Sequence, residues 1–533
     1  MVKVNTNSVY LTQAEKEKYA LFLDVTNVKW DELPVKKRIS MARQVDYLID
    51  DVNLKQVAAL LDRSYGSLYN MYMSMVSDLQ SVLGKKTDDT RQLFKIPSDV
   101  YHFYMVKNSD VYDFVQILLH GGQVSFQSFW EQHHSSKATA LRHLKQVRDL
   151  IRAFNVRIAY DPIHLEGDEK AIRIVLVMLY WLAAGGHTWV FDEIDQQAAH
   201  EAFDYAVEAY QLQTPNLLTR EIGAYMIAIS YYRVMQGKTI EADDRMELIR
   251  YPYPDLTHAY LVADFTQGSS DLRAKLAQLS PTQSRSESAG LYFILKYGPV
   301  PLKSKGRFEI DECQIYKRYV PEVYWFVNHF LERTPVDIQC YLNISERVYH
   351  ELKNALSVVT TNIHVLGNDM TSVVSHQLME RVKLLRPNEQ LHADISQTID
   401  YLLFEPEARI FAANRDALVK AYYNLIRQLV QQYRPVNRVK VALVVEQDYL
   451  GYMDLLAALE NIQYVDFSTS DDALRDADLV VTTSSIALPD YTNPAAVPFI
   501  WRLNANSDHF ARLYGIIREL WIQKSHIENS EAN

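Results

Sequence analysis

Cysteine is nearly absent from this chain, and its scarcity excludes two kinds of structure that depend on it. The 533 residues hold two cysteines, Cys313 and Cys340, which are too few for a disulfide framework or for a zinc site built from several thiolates. Glycine and proline are also scarce, at 16 and 17 residues. Because both residues interrupt helices, their scarcity favours a helix-rich fold.

The sequence also lacks a long hydrophobic run and the common catalytic motifs. Its longest apolar stretch, residues 174–184, is about half of the ~20 residues that a membrane span needs, so a buried core helix is expected there. Residues 1–10 show no signal core. No phosphate-cradling glycine loop or nucleophile elbow is present. These absences predict a cytoplasmic protein that makes no membrane contact and is not an enzyme, with no catalytic residues, metal or cofactor.

Charge is unevenly distributed along the chain. Residues 1–160 hold 21 Lys and Arg against 17 Asp and Glu, a balance of +4, and the remainder holds 34 against 49, a balance of −15. This asymmetry indicates a basic module joined to acidic modules. The densest basic cluster comprises Lys137, Arg142, Lys145, Arg148, Arg152 and Arg157. A solvated helix face would show the same charge, so charge alone does not establish nucleic-acid binding.

The first of two helix-turn-helix patterns lies within residues 54–83. Residues 54–61 predict a short apolar helix, and Ser64 is a suitable N-cap for a second helix over 65–83. Arg63, Tyr65 and Ser67 are candidates for phosphate contact from this unit. A purely structural role explains them equally well.

The second pattern predicts a winged helix-turn-helix. Helices are expected over 111–119, 125–132 and 137–153, the last capped by Ser136, and residues 156–160 and 163–165 are expected to pair as a hairpin. One buried stripe of the third helix is predicted to comprise Leu141, Leu144, Val147, Leu150 and Ile151. The candidate DNA-binding residues are Ser136, Lys137, Thr139, Arg142, His143 and Gln146, and the open face should also show Ala140 and Arg148.

The pattern changes twice after residue 168. Residues 169–433 predict nearly continuous amphipathic helices in two blocks, whereas residues 436–533 alternate strands with helices and predict a parallel sheet. The last helix carries six large apolar residues: Phe510, Leu513, Ile516, Ile517, Leu520 and Trp521. They favour self-association, unless all six serve the core of their own domain.

The order of these segments resembles the Mga/AtxA family of Gram-positive virulence and carbohydrate-responsive regulators. The resemblance rests on residues 136–144 (SKATALRHL), 154–158 (FNVRI), 163–167 (IHLEG) and 179–181 (LYW), with Glu169, Ile172 and Arg173. It implies a mainly α multidomain fold. The implied segments are a polar lead-in with one short amphipathic piece at 1–35, a helix-turn-helix at 36–90, a winged helix-turn-helix at 100–168, all-helical phosphotransferase regulation domains (PRDs) at 169–285 and 286–433, and an α/β domain like enzyme IIB at 436–533.

The resemblance further implies a homodimer that binds double-stranded DNA and is controlled by histidine phosphorylation through the phosphocarrier protein of the sugar phosphotransferase system. A typical PRD places a histidine in the helix that corresponds to residues 223–233, which has none here, so the nearby His200 is the candidate in the first PRD. His350 is the candidate in the second. The loop 446–451 lacks the phosphocysteine of active enzyme IIB domains, so this domain is expected to serve as an interaction or dimerisation module.

Three other functions remain open at the level of the sequence. An RNA-binding antiterminator also carries paired PRDs, but it usually begins with a small β-rich domain that residues 1–60 do not predict. A phosphotransfer enzyme is opposed by the missing cysteine. A helical scaffold would make no contact with nucleic acid, and a filter-binding assay would separate it from a DNA-binding regulator.

Overall fold

Two compact units make up the chain. The computed structural model describes residues 8–32, 52–60, 63–254, 269–305, 309–334, 346–370, 388–433, 438–445, 453–462, 464–483, 488–501 and 507–527. The first unit comprises residues 1–33, 41–383 and 390–425, and the second comprises 34–40, 384–389 and 426–533. Within the described ranges, every helix is too short or too polar to pass through a membrane.

The first unit opens with a packed helix where the sequence predicted a polar lead-in. Helix α1 (Gln13–Glu32) packs against α2 (Leu54–Leu60) and α3 (Tyr65–Leu83). Leu21, Phe22 and Val25 are buried on its inner face. The preceding Tyr10 is also buried, and its hydroxyl donates to the Leu179 carbonyl oxygen at 2.6 Å. A few apolar residues spaced three and four apart are enough to anchor an otherwise polar helix.

The winged segment has the predicted order of elements. After α4 (Thr90–Leu93) and α5 (Ser98–Lys107) come α6 (Asp110–His120), α7 (Phe126–Gln132), α8 (Lys137–His143) and α9 (Lys145–Ala153). Strands β1 (Arg157–Tyr160) and β2 (Ile163–Glu166) form an antiparallel hairpin that pairs Arg157 with Glu166 and Tyr160 with Ile163. The third helix was predicted to run unbroken from 137 to 153. The structure divides it at Leu144, which is not part of either helix.

The rest of the first unit is helical in its described residues, and its last helix continues past residue 425 into the second unit. Helix α10 (Glu169–Ala184) contains the apolar stretch 174–184, and its buried side chains confirm the prediction of a core helix. The following helices are α11 (Gln196–Ala209), α12 (Leu217–Met235), α13 (Ser269–Ala277), α14 (Pro281–Tyr297), α15 (Glu309–Tyr319), α16 (Pro321–Arg333), α17 (Glu346–Leu366), α18 (Glu389–Leu403) and α19 (Arg415–Tyr433), with 3₁₀ turns at Asp244–Leu248 and Pro406–Asn414. Helix α10 packs against α5 and α6 of the winged segment and against α12 and α14.

The second unit contains the predicted parallel sheet. Its elements are β3 (Val439–Val444), α20 (Met453–Glu460), β4 (Val465–Ser468), a 3₁₀ turn (Asp471–Arg475), β5 (Leu479–Thr482), β6 (Val497–Ile500) and α21 (Ser507–Ile527). The strands lie in the order β4-β3-β5-β6, and each neighbouring pair is parallel. The loop 446–451, predicted to lack a phosphocysteine, lies outside the described residues.

The six apolar residues of the last helix serve the core of their own unit. Leu513 and Ile517 are buried in the cluster beneath the sheet. Phe510, Ile516, Leu520 and Trp521 are partly buried and pack against the same cluster. Their number was one reason to expect self-association, and the structure accounts for them without it.

Candidate nucleic-acid interface

Serine caps define the helices of the winged segment. Ser109, Ser125 and Ser136 stand before α6, α7 and α8, and each side-chain oxygen accepts a hydrogen bond from a backbone N–H in the first turn. Each cap contributes about 1 kcal/mol. The predicted role of Ser136 as an N-cap is thereby confirmed. The turn between α7 and α8 passes through His134 in the left-handed region, at φ 48°, so α8 starts in a new direction within four residues.

The inner face of α8 and α9 differs from the predicted stripe by one residue. Ala140, predicted to face outward, is buried, whereas Leu141, predicted to be buried, is only half-buried. Ala140 lies one turn before Leu144, and Val147 and Ile151 continue the buried row. Positions spaced four, three and four apart share one face of a helix, so the row begins at Ala140.

The open face presents polar side chains from the beginning of this helix pair. Ser136, Lys137, Arg142 and Gln146 are exposed, and Thr139 is half-buried. Arg142 near the end of α8 and Gln146 at the beginning of α9 flank Leu144, and both are exposed. A guanidinium can donate two hydrogen bonds to guanine, and a glutamine amide can read adenine. This arrangement can read base edges in a major groove.

Two of the candidate residues are already bonded to other helices. The Nδ1 atom of His143 lies 3.0 Å from the Asp110 carboxylate, and the ring is half-buried. Lys16 of α1 donates to the Gln146 Oε1 atom at 2.8 Å, across 130 residues of sequence. Burial lowers the pKa of the Lys16 ammonium. Sequence reasoning missed Lys16 because no local pattern connects it to α9.

The first helix-turn-helix also has the predicted pair of helices, but its candidate cation is partly neutralised. The Arg63 guanidinium lies 3.4 Å from the Glu17 carboxylate. Tyr65 and Ser67 are exposed, and the Tyr65 ring stacks on Tyr69 with centroids 6.1 Å apart. Ser64 occupies the N-cap position without a side-chain capping bond. Residues 36–51 and 61–62 of this predicted unit lie outside the described residues.

The two histidine candidates have different surroundings. On α11, the Nε2 atom of His200 lies 2.7 Å from the Glu221 carboxylate, and its Nδ1 atom is 3.3 Å from the Arg220 guanidinium. Arg220 also binds Asp204, whose hydrogen bonds raise the pKa of the guanidinium. On α17, His350 lies 3.8 Å from Glu346, and its Nδ1 atom is buried without a hydrogen-bond partner.

Comparison with known proteins identifies the winged segment. Residues 98–180 match the family model of the Mga helix-turn-helix domain. The chain is also similar to the capsule synthesis positive regulator AcpB of Bacillus anthracis, with 21% identity over 153 residues. That match covers 29% of this chain and 32% of AcpB, about a third of its length. The predicted resemblance to the Mga/AtxA family is thereby confirmed, and residues 98–180 are identified as an Mga-type helix-turn-helix domain.

Proposed function

We propose that the protein is a DNA-binding transcription regulator of the Mga/AtxA type. The observation that carries this proposal is the exposed polar face of α8 within the segment that matches the Mga helix-turn-helix domain. The similarity to a positive regulator of capsule synthesis supports the same function.

In the proposed complex, α8 enters the major groove with its capped N-terminus leading. Arg142 reads a base edge, and Gln146 does the same when its amide is free of Lys16. Lys137, Ser136 and Thr139 hold backbone phosphates. His143 orients α8 through Asp110. Arg63, Tyr65 and Ser67 of the first helix-turn-helix add phosphate contacts.

The function is tested with the full-length protein and DNA recovered by chromatin immunoprecipitation. Arg142→Ala should weaken specific binding by roughly 1–3 kcal/mol because a base contact is lost. Lys137→Ala should weaken all sequences alike and reduce the slope of log K against log salt by about one unit. The matched control is Lys275→Ala, an exposed lysine on α13. Unchanged affinity in a folded Arg142→Ala/Gln146→Ala variant would contradict the proposal.

RNA is the alternative target. The PRD-containing antiterminators begin with a small β-rich RNA-binding domain, whereas residues 8–32, 52–60 and 63–120 of this protein contain no strand. This helical beginning favours DNA. Parallel binding assays with double-stranded DNA and with a hairpin RNA of the same sequence separate the two functions, and preference for the RNA would reverse the assignment.

Regulation through the sugar phosphotransferase system belongs to the same proposal. Its phosphocarrier protein would transfer phosphate to His200 or His350, since a neutral imidazole is nucleophilic near pH 7. At His200 the cluster supports this role by orienting both ring nitrogens. The added negative charge would be placed beside Glu221 and Arg220, which changes the ion pairing between α11 and α12.

A further inference from the structure

A basic cavity lies away from the proposed base-reading face. It has a volume of about 640 Å³ and is lined by the C-terminal end of α9, the connection to the hairpin and β1. Three arginines contribute to its wall: Arg148, Arg152 and Arg157. Arg152 lies near the end of α9, whereas Arg142 lies on the separate helix α8. The cavity is therefore a second basic feature of the winged segment.

The three arginines lack an ion-paired carboxylate among the described residues, although Arg157 lies opposite Glu166 in the hairpin. In the described part of the chain, no carboxylate forms an ion pair with any of them, and the Nε atom of Arg148 is buried without a hydrogen-bond partner. Elsewhere in the first unit, Arg173, Arg220 and Arg415 each bind a carboxylate. Arg148 is half-buried, whereas Arg152 and Arg157 are exposed. Three positive charges that line one cavity favour a bound anion.

Backbone carbonyls do not supply the missing acceptors. Helix α9 ends with Asn155 in the left-handed region, at φ 58°. This turn lets the N–H groups of Asn155 and Val156 donate to the carbonyl oxygens of Arg152 and Ile151. The side-chain amide of Asn368 donates to the Ala153 carbonyl oxygen. The last carbonyl groups of α9 thus already accept hydrogen bonds, and the N–H of the Arg148 Nε atom remains without an acceptor.

We propose that this cavity binds a phosphate group. Guanidinium forks match phosphate oxygens in geometry and charge, and their charge-assisted hydrogen bonds are stronger than neutral ones. The phosphate has two possible sources, the DNA backbone or a small phosphorylated molecule that acts as an effector. The first source rests on the proposed function, whereas binding of a free phosphate group does not.

Titration calorimetry of the full-length protein with inorganic phosphate tests the site itself. The wild type should bind phosphate at one saturable site, and Arg152→Gln/Arg157→Gln should bind it about tenfold more weakly or worse, because charge-assisted bonds are lost. The control Lys145→Gln/Lys275→Gln removes the same charge from exposed positions outside the cavity and should match the wild type. Arg152→Lys/Arg157→Lys should recover part of the affinity, and circular dichroism verifies the fold of each variant.

The salt dependence of DNA binding identifies the source of the phosphate. If the DNA backbone fills the cavity, Arg152→Gln/Arg157→Gln should lower the slope of log K against log salt by about two units, whatever the DNA sequence. If a free anion fills it, the slope should stay unchanged and phosphate should bind the DNA complex as well as it binds the free protein. Equal phosphate affinity in Arg152→Gln/Arg157→Gln and in the lysine control, together with an unchanged slope, would overturn the proposal. Binding of phosphate without any binding of DNA would contradict the proposed function but would support the phosphate site.

Discussion

At the scale of single residues, two of the candidate side chains are bonded to partners that are distant in sequence. Sequence spacing correctly placed Ser136, Lys137, Arg142 and Gln146 on an exposed surface. It could not show that His143 meets Asp110 or that Gln146 meets Lys16, because such contacts depend on how separate helices pack. Arg148, predicted to face outward, is half-buried with its Nε atom fully buried. Local sequence patterns predict which side chains are exposed, whereas tertiary packing determines which of them already have a hydrogen-bond partner.

Phosphorylation is the prediction that belongs to this scale. Incubation with the general phosphotransferase components and phosphoenolpyruvate should label His200, because its ring is oriented between Glu221 and Arg220. His200→Ala should remove that label, and Arg220→Ala should reduce it because the phosphoryl group loses a neighbouring cation. Mass spectrometry under conditions that preserve acid-labile phosphate measures both effects.

A matched control keeps this test specific. His392 lies on α18, where its ring packs against Tyr423, so His392→Ala should leave the label on His200 unchanged. Label on His350 as well would extend regulation to the second helical block. Label found only outside residues 169–433, or no label at all, would remove phosphoregulation from the proposed function.

At the scale of helices and strands, sequence periodicity predicted most of what the structure shows. The hairpin and the helices α6 and α7 lie where their sequence patterns placed them, and residues 436–533 contain the predicted parallel sheet. For residues 1–35 the sequence predicted only one short amphipathic piece, whereas α1 extends over 20 residues, because its mostly polar sequence gives little sign of its packing. The break at Leu144 was also missed, since α8 and α9 share one continuous apolar row. Periodicity identifies a buried face but not a local change in backbone geometry.

The attachment of α14 to α10 provides a stability prediction for these elements. Two nitrogens of the fully buried Arg173 donate to the two oxygens of Glu287, each at 2.8 Å, and the Ile240 N–H donates to the same carboxylate. Glu287→Ala removes the two-bond partner of a buried guanidinium, which keeps its longer bond to Glu169 at 3.2 Å, and should lower the free energy of unfolding by about 3 kcal/mol. Urea denaturation followed by circular dichroism measures the change.

An exposed ion pair serves as the control. Lys303 and Glu351 lie 2.7 Å apart, and their side chains are 36% and 46% exposed. Because solvent screens this pair, Glu351→Ala should lower the free energy of unfolding by less than about 1 kcal/mol. Equal losses in the two variants would show that Glu169 alone satisfies Arg173 and that Glu287 does not fix α14 to α10.

At the scale of the whole molecule, the open question is assembly. Helix-turn-helix regulators bind palindromic sites as twofold dimers, which supports a homodimer here. The apolar residues of α21 no longer support it, but the second unit has other exposed apolar side chains. These are Met453, Tyr491, Ile500 and Tyr514. Because β6 is an edge strand of the described sheet, Ile500 lies where a second copy could add to the sheet.

We predict that the full chain is a dimer at micromolar concentration. Sedimentation velocity should give a mass of about twice 61.7 kDa, and deletion of residues 436–533 should weaken both dimerisation and DNA binding. Ile500→Lys within the full chain should also weaken dimerisation and DNA binding, because a charge on an edge strand opposes its pairing with a strand of a second copy. A strictly monomeric full-length protein, or a truncated protein that dimerises equally well, would show that the second unit has another role.

Helix α10 has a practical consequence for anyone who wishes to transplant the DNA-binding segment. The family match ends at residue 180, inside α10, and the same helix packs against α5 and α6 on one side and against α12 and α14 on another. A fusion that ends at residue 168 would discard the apolar surface on which the winged segment rests, and one that ends at 184 would expose it to solvent. Chimeras of this protein should therefore retain the helices through α14, because α10 packs against the winged segment and against α12 and α14 at once.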